Sequence, residues 1–171
     1  MDTDPAGDVE LLYQGEWLRM VRRGHWESCE RTHGKDGLAV LVIAVTPDDH
    51  VLFVEQYRVP LGARTIEMPA GLVGDDHDDD SLEAAARREL IEETGWEGMS
   101  NEPIAFARAR DLRRVGDGGG VNDEDITVHS VPRSEAPAWL MQKYREGYEL
   151  DLKLWAGLWM IEYNPDGTRA D

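Results

Sequence analysis

Leu, Tyr, Trp, Met and Val mix with polar residues from Glu10 to Arg22, and the mixture continues from His25 to His33 after a turn-like Arg23-Gly24. This pattern predicts a small hairpin-like N-terminal β unit. The run LAVLVIAV (Leu38–Val45) is apolar on both faces and predicts a buried central strand, followed by a TPDDH turn and a second strand over Val51–Val59. Thr65–Met68 predicts a short strand ending at Pro69. Ser81–Thr94 predicts a helix, with Ser81 as N-cap and Gly95 as the stop signal. Strands at Ile104–Arg110 and Ile126–Val131 flank a glycine-rich stretch, GDGGGVNDED, whose composition predicts mobility. Pro137 is placed to open a helix reaching about Glu146, and Asp151–Tyr163 has the spacing of a final amphipathic helix. Because strands and helices interleave without a regular βαβ alternation, the expected class is α+β, or a layered α/β/α domain, rather than a doubly wound sheet.

Charge narrows the range of partners. In 171 residues, 35 acids stand against 18 Lys and Arg, a net charge of −17. Such a field repels polyanions, so nucleic acid is not an expected partner. A small anionic substrate would then need a local reversal of sign, supplied by placed arginines or bound divalent cations. Cys29 is the single cysteine and forms no internal disulfide. Met1–Gly7 is acidic and carries no apolar run, and Leu38–Val45 falls well short of the roughly 20 residues that span a bilayer. A cytoplasmic protein without a membrane partner is the expectation.

The segment SLEAAARRELIEETGW (Ser81–Trp96) carries the chemistry. At about 100° per residue, Leu82, Ala86 and Leu90 mark its apolar face, and Glu89 and Glu93 project within about 20° of Leu82. The helix therefore aims two like charges toward the side it should bury, which costs several kcal/mol unless something positive lies between them. Glu89, Glu92 and Glu93 together match the oxygen-rich environment that Mg²⁺ or Mn²⁺ prefers. The plain alternative is an i,i+4 pair between Arg88 and Glu92 on a solvated helix.

The same segment resembles the Nudix box, G-x5-E-x7-R-E-U-x-E-E-x-G-U with U a bulky apolar residue. Arg88, Glu89, Leu90, Glu92, Glu93, Gly95 and Trp96 match that pattern. The first Glu of the box is Asp80 here, and the interval back to Gly71 is longer than the pattern allows, so the box glycine is either Gly71 or, by coincidence, Gly74; Gly71 is favoured. HWESCERT (His25–Thr32), VEQYRVPLG (Val54–Gly62), IEMPAG (Ile66–Gly71) and GMSNE (Gly98–Glu102) are similar to the surroundings of the box in ADP-ribose and nucleoside-diphosphate-sugar pyrophosphatases. One departure is that Glu97 alone separates Trp96 from Gly98, where the family has a strand and a loop.

This resemblance implies a Nudix fold, an α/β/α sandwich around a mixed sheet, over residues 35–171. It also implies that residues 1–34 form a β unit packing against a second subunit in a homodimer. Two or three Mg²⁺ (or Mn²⁺) ions would be held by the Ala70 carbonyl, Glu89 and Glu93, with Glu92 and Glu124 as further ligands. Trp26 would stack on a nucleobase, Arg31 and Arg58 would contact substrate, and Glu67, Met99 and Ser100 would line the groove. Arg88 would orient the glutamates, and Glu124, or else Asp123 or Asp125, would deprotonate the attacking water. The implied reaction is hydrolysis of ADP-ribose or a related nucleoside-diphosphate sugar to NMP and sugar phosphate. The alternatives are another Nudix substrate, such as GDP-mannose, a dinucleoside polyphosphate or a coenzyme A derivative, or a non-catalytic nucleotide-binding module. Each residue also has a bland reading: Trp26 as core, Arg58 as a surface ion pair, the loop acids as solvated charge.

Overall fold

Three strands, β1 (Val9–Gln14), β2 (Leu18–Arg23) and β3 (Trp26–Arg31), form an antiparallel N-terminal sheet in that order. The span Glu10–Arg22, expected as one β segment, is two strands. Gly15 turns the chain and its N–H donates to the Leu18 carbonyl at 2.8 Å. The computed structural model describes residues 8–32, 39–73, 81–100, 106–121 and 124–170, with backbone alone at 98–100 and 106.

After the N-terminal sheet the order is β4 (Ala39–Ala44), β5 (His50–Arg58), β6 (Ala63–Glu67), β7 (Ala70–Leu72), α1 (Leu82–Thr94), β8 (Trp96–Ser100), β9 (Phe106–Arg114), β10 (Ile126–Pro132), α2 (Ala136–Arg145), β11 (Glu149–Leu150) and α3 (Lys153–Glu162). One four-stranded sheet runs β7-β4-β9-β8 and the other β10-β5-β6-β11. Both mix directions, since β4 is parallel to β9 and antiparallel to β7, while β11 is parallel to β6 and β5 antiparallel to it.

The strand predicted to be apolar on both faces is β4. Val40, Val42 and Ala44 join a core with Ala85, Ala86 and Leu90 of α1, whereas Leu41 and Ile43 join a second core with Phe53, Ile66, Leu140 of α2 and Leu154 of α3. Period-two alternation thus places α1 on one side and α2 and α3 on the other, giving the expected layered α/β/α arrangement. No helix among the described residues is long and apolar enough to cross a membrane.

Three strands escape the sequence reading because each is short or abuts a stronger signal. β7 follows the Pro69 that ends the predicted strand, β8 begins directly after the helix stop at Gly95, and β11 has two residues. At the Trp96–Gly98 departure the residues just after the box are themselves a strand, antiparallel to β9. β9 also runs on to Arg114, beyond the predicted end at Arg110.

Gly95 takes φ 73° at the end of α1, and a Cβ there would lie 2.2 Å from the Gly116 carbonyl oxygen. Gly95→Ala should therefore lose about 1–3 kcal/mol from backbone strain, with the clash adding to it. A lowered denaturation midpoint at an unchanged m-value is the expected result.

Candidate functional site

α1 is fixed at both ends before its acids come into play. The Ser81 hydroxyl accepts from the Ala84 N–H at 3.1 Å, and the Gly95 N–H donates to the Ile91 carbonyl at 2.8 Å. Ala85, Ala86 and Leu90 lock the buried face onto β4, so Glu89 and Glu93, three and four residues along the same face, are carried inward with them. Glu93 is buried, with 8% of its surface exposed.

The wall they meet is β7. The Ala70 N–H donates to Glu93 Oε2 at 3.0 Å. At Gly71 a Cβ would stand 1.9 Å from the Glu89 carboxyl carbon, so any side chain there would have to displace that carboxylate from its place. Gly71 thus has a physical reason to be the box glycine; Gly74 and Asp80 lie outside the described residues. Arg88 Nη1 donates to Glu89 Oε1 at 2.7 Å and to Glu92 Oε2 at 3.5 Å, while Nη2 donates to the Leu72 carbonyl at 3.1 Å. The Arg88–Glu92 pair of the plain alternative exists, yet the same guanidinium also ties Glu89 to β7.

Burial pushes the Glu93 carboxyl up to about 8, and the charges of Glu89 and Glu124 push the same way against the Ala70 N–H and Arg58. Burial likewise raises Glu89, helped by Glu92 and Glu124 and opposed by Arg88. Two hard-oxygen donors held in a poorly solvated place, with a third carboxylate near enough to be felt, fit a divalent cation by donor chemistry. Among the described residues no three His, Cys, Asp or Glu side chains are grouped as a ready coordination set.

Glu124 approaches from the glycine-rich stretch. The described part of that stretch lies against the end of α1. The Gly119 N–H donates to the Glu93 carbonyl at 2.8 Å and the Gly120 N–H to the Glu92 carbonyl at 2.9 Å. A Cβ on Gly118 would lie 2.4 Å from the Thr94 carbonyl carbon, so these glycines serve close backbone approach. Glu124 Oε2 accepts from the Val121 N–H at 2.9 Å. Asn122 and Asp123 lie outside the described residues.

Arg31, Arg58 and Glu67 come together in a cleft of about 420 Å³, with Thr65, Leu61 and Asp151 also on its walls. Arg58 is an ion-pair residue and a cleft residue at once: Nε and Nη2 donate to the two Glu67 carboxylate oxygens, each at 2.7 Å. The Thr65 hydroxyl donates to Glu67 Oε1 at 2.6 Å. Burial alone would raise Glu67, but these bonds hold its carboxyl below the usual range. The Glu67 hydrogen bond in turn raises Arg58, and the charges of Glu93 and Asp151 reach it as well, which joins the cleft electrostatically to α1.

Trp26 is 71% exposed on β3, its ring 5.1 Å from that of His25. It is not a core residue in this chain. Met99 and Ser100 belong to β8, and their side chains lie outside the described positions. Glu149 and Asp151 on the cleft wall had no sequence signal of their own: Asp151 opened the predicted helix and Glu149 stood before it, and the strand that carries Glu149 has only two residues.

The sequence profile of the NUDIX domain matches residues 35–143. The ADP-sugar pyrophosphatase of Mus musculus is 36% identical over 104 residues, which cover 52% of this chain and 46% of that protein. This chain therefore spans less than half of that relative's length. The methanol dehydrogenase activator of Bacillus methanolicus is 32% identical over 79% of this chain and 82% of its own length. A GDP-mannose pyrophosphatase of Escherichia coli O9:H4 (strain HS) is 34% identical over 71% of this chain and 69% of its own. Among solved structures, one described as an ADP compounds hydrolase shares the fold, with a TM-score of 0.51 at 17% identity, covering 82% of this chain and 92% of its own.

The raised Glu93 carboxyl makes stability depend on pH. Its folded value exceeds its unfolded one, so the contribution is complete below about 4.5 and is lost as pH rises through about 8. In chelator, thermal unfolding should move to lower temperature across that window, and Glu93→Gln should flatten the slope. An equal slope in both proteins would contradict the assignment.

Proposed function

The chain belongs to the NUDIX domain family, and from that premise we propose that it hydrolyses the pyrophosphate bond of ADP-ribose or a related nucleoside-diphosphate sugar. The observation that carries the reading is the inward pair Glu89 and Glu93, set against the glycine and amide of β7 and beside a cleft walled by Arg31 and Arg58. A binder alone gains nothing from like charges on the buried side of a helix, since each costs stability without a cation. The names of relatives support the substrate class: two of those above are a pyrophosphatase of ADP-sugars and one of GDP-mannose.

Glu89, Glu93 and the Ala70 carbonyl, joined by Glu92 and Glu124, would hold two or three Mg²⁺ or Mn²⁺ ions. Such ions neutralise diphosphate charge and make a water acidic enough to attack near neutral pH. Arg88 holds Glu89 in place through the bond at 2.7 Å and ties it to β7. Arg58 and Arg31 bind phosphate oxygens; for Arg58 this means sharing its guanidinium with Glu67. Glu124 takes the proton of the attacking water. A new P–O bond forms to that water's oxygen, the bridging P–O bond breaks, and NMP and a sugar phosphate leave. The same reading has the β1–β3 sheet, within a unit spanning residues 1–34, pairing with a second copy through its exposed Leu11, Trp17 and Trp26, so that Trp26 meets a base bound across the interface.

Incubating the protein and Mg²⁺ with ADP-ribose, GDP-mannose and diadenosine polyphosphates, and identifying products, tests the reading. NMP and sugar phosphate are expected from a nucleotide sugar, and chelator should abolish their formation. Glu124→Gln should lower kcat by roughly 10²- to 10⁴-fold, and Glu93→Gln by orders of magnitude with the fold retained. Tight binding of ADP-ribose without turnover would replace the hydrolase with a regulatory module.

A further inference from the structure

Glu124 stands one residue before Asp125, whose carboxylate pairs with the Arg64 guanidinium just ahead of Ile126, where β10 begins to pair with β5. Arg64 Nη2 donates to Asp125 Oδ2 at 2.5 Å, and Arg64 Nη1 donates to Glu55 Oε1 at 3.2 Å. Glu55 is buried on β5, and its other oxygen faces His129 Nε2 of β10 at 2.9 Å. His129 is in turn packed on Trp139 of α2, ring centres 5.0 Å apart, and Trp139 stacks on Phe53. The chain of contacts runs from the second hydrophobic core through a buried carboxylate to the start of β10.

The incoming side of the same segment is anchored elsewhere, by the Gly119 and Gly120 amides on the last carbonyls of α1. Glu124 thus lies between the glycine amides that cap the helix bearing Glu89 and Glu93 and the start of β10, which pairs with β5 from Ile126 and carries the Arg64 bridge just ahead of it; its own carboxylate also accepts from the Val121 N–H. The Asp125 side chain is largely exposed, and an ion pair there adds little to global stability. What a bridge at that position can do is restrict where the neighbouring carboxylate sits.

We propose that Arg64 is a positioning residue for Glu124, linking Asp125 to buried Glu55 so that the carboxylate of Glu124 is presented at a fixed distance from α1. The proposal rests on the hydrolase reading for its catalytic consequence, but the restraint itself does not. Losing it should leave substrate binding intact and lower the chemical step, because an error of about 1 Å in placing a reacting group can cost on the order of 10²-fold.

The test combines kinetics and hydrogen exchange on Arg64→Ala, Arg64→Lys, Asp125→Ala and the double variant Arg64→Ala/Asp125→Ala. Arg64→Ala and Asp125→Ala should each speed amide exchange at Glu124, Asp125 and Ile126. Each should also lower kcat by roughly 10- to 100-fold, with KM for the nucleotide sugar within about twofold of the parent. Arg64→Lys should recover part of kcat, and the double variant should be no worse than the poorer single one. Wild-type exchange and kcat in Arg64→Ala, or losses that multiply in the double variant, would overturn the proposal. If the parent protein turns over no nucleotide sugar, the hydrolase reading fails by itself, and the exchange measurement alone decides whether Arg64 restrains Glu124.

Discussion

Glu93 is 8% exposed beside Glu89 on α1, and the cost of keeping two carboxylates there with little water dictates what the neighbouring strand must be. β7 answers with an amide for Glu93 and a missing side chain for Glu89. Arg88 then ties the helix back to the same strand through the Leu72 carbonyl. None of these partners removes the cost of burial; they hold the charges in register, and burial, with a smaller push from Glu89 and Glu124, leaves the Glu93 carboxyl raised. The apolar contacts of Ala85, Ala86 and Leu90 supply the free energy that keeps the arrangement closed.

The second half of the site follows another logic. In the cleft, Arg58, Glu67 and Thr65 satisfy one another through three short hydrogen bonds, so charge is balanced locally. An anionic ligand arriving there competes with Glu67 for a guanidinium already engaged. In a chain of net charge −17 any attraction for an anion has to be local, and the cleft offers Arg31 and Arg58 among Glu67, Glu149 and Asp151.

Much of this was legible from residue order. The inward projection of Glu89 and Glu93 follows from their spacing relative to Leu82 and Leu90, and the two-faced burial of β4 from its unbroken apolar run. Arg31, Arg58 and Glu67 were singled out by resemblance, and they share one cleft. The misses have common causes. β7 and β11 are too short for periodicity to register, and the turn at Gly15 is hidden inside an alternating stretch. Composition shows the glycines at 118–120 but not that their positive φ angles and lack of Cβ serve contact with α1. The network of Glu55, Arg64, Asp125 and His129 spans strands far apart in sequence, and no local pattern announces it.

β4 has a consequence for how faithfully the sheet must assemble. Its odd and even side chains feed separate interiors, so sliding the strand by one position would exchange the two sets at a stroke, driving Leu41 and Ile43 into space shaped for Val40, Val42 and Ala44. Most strands bury one face and pay for misalignment once. Here the penalty falls on both sides, so the register of β4 is specified twice over.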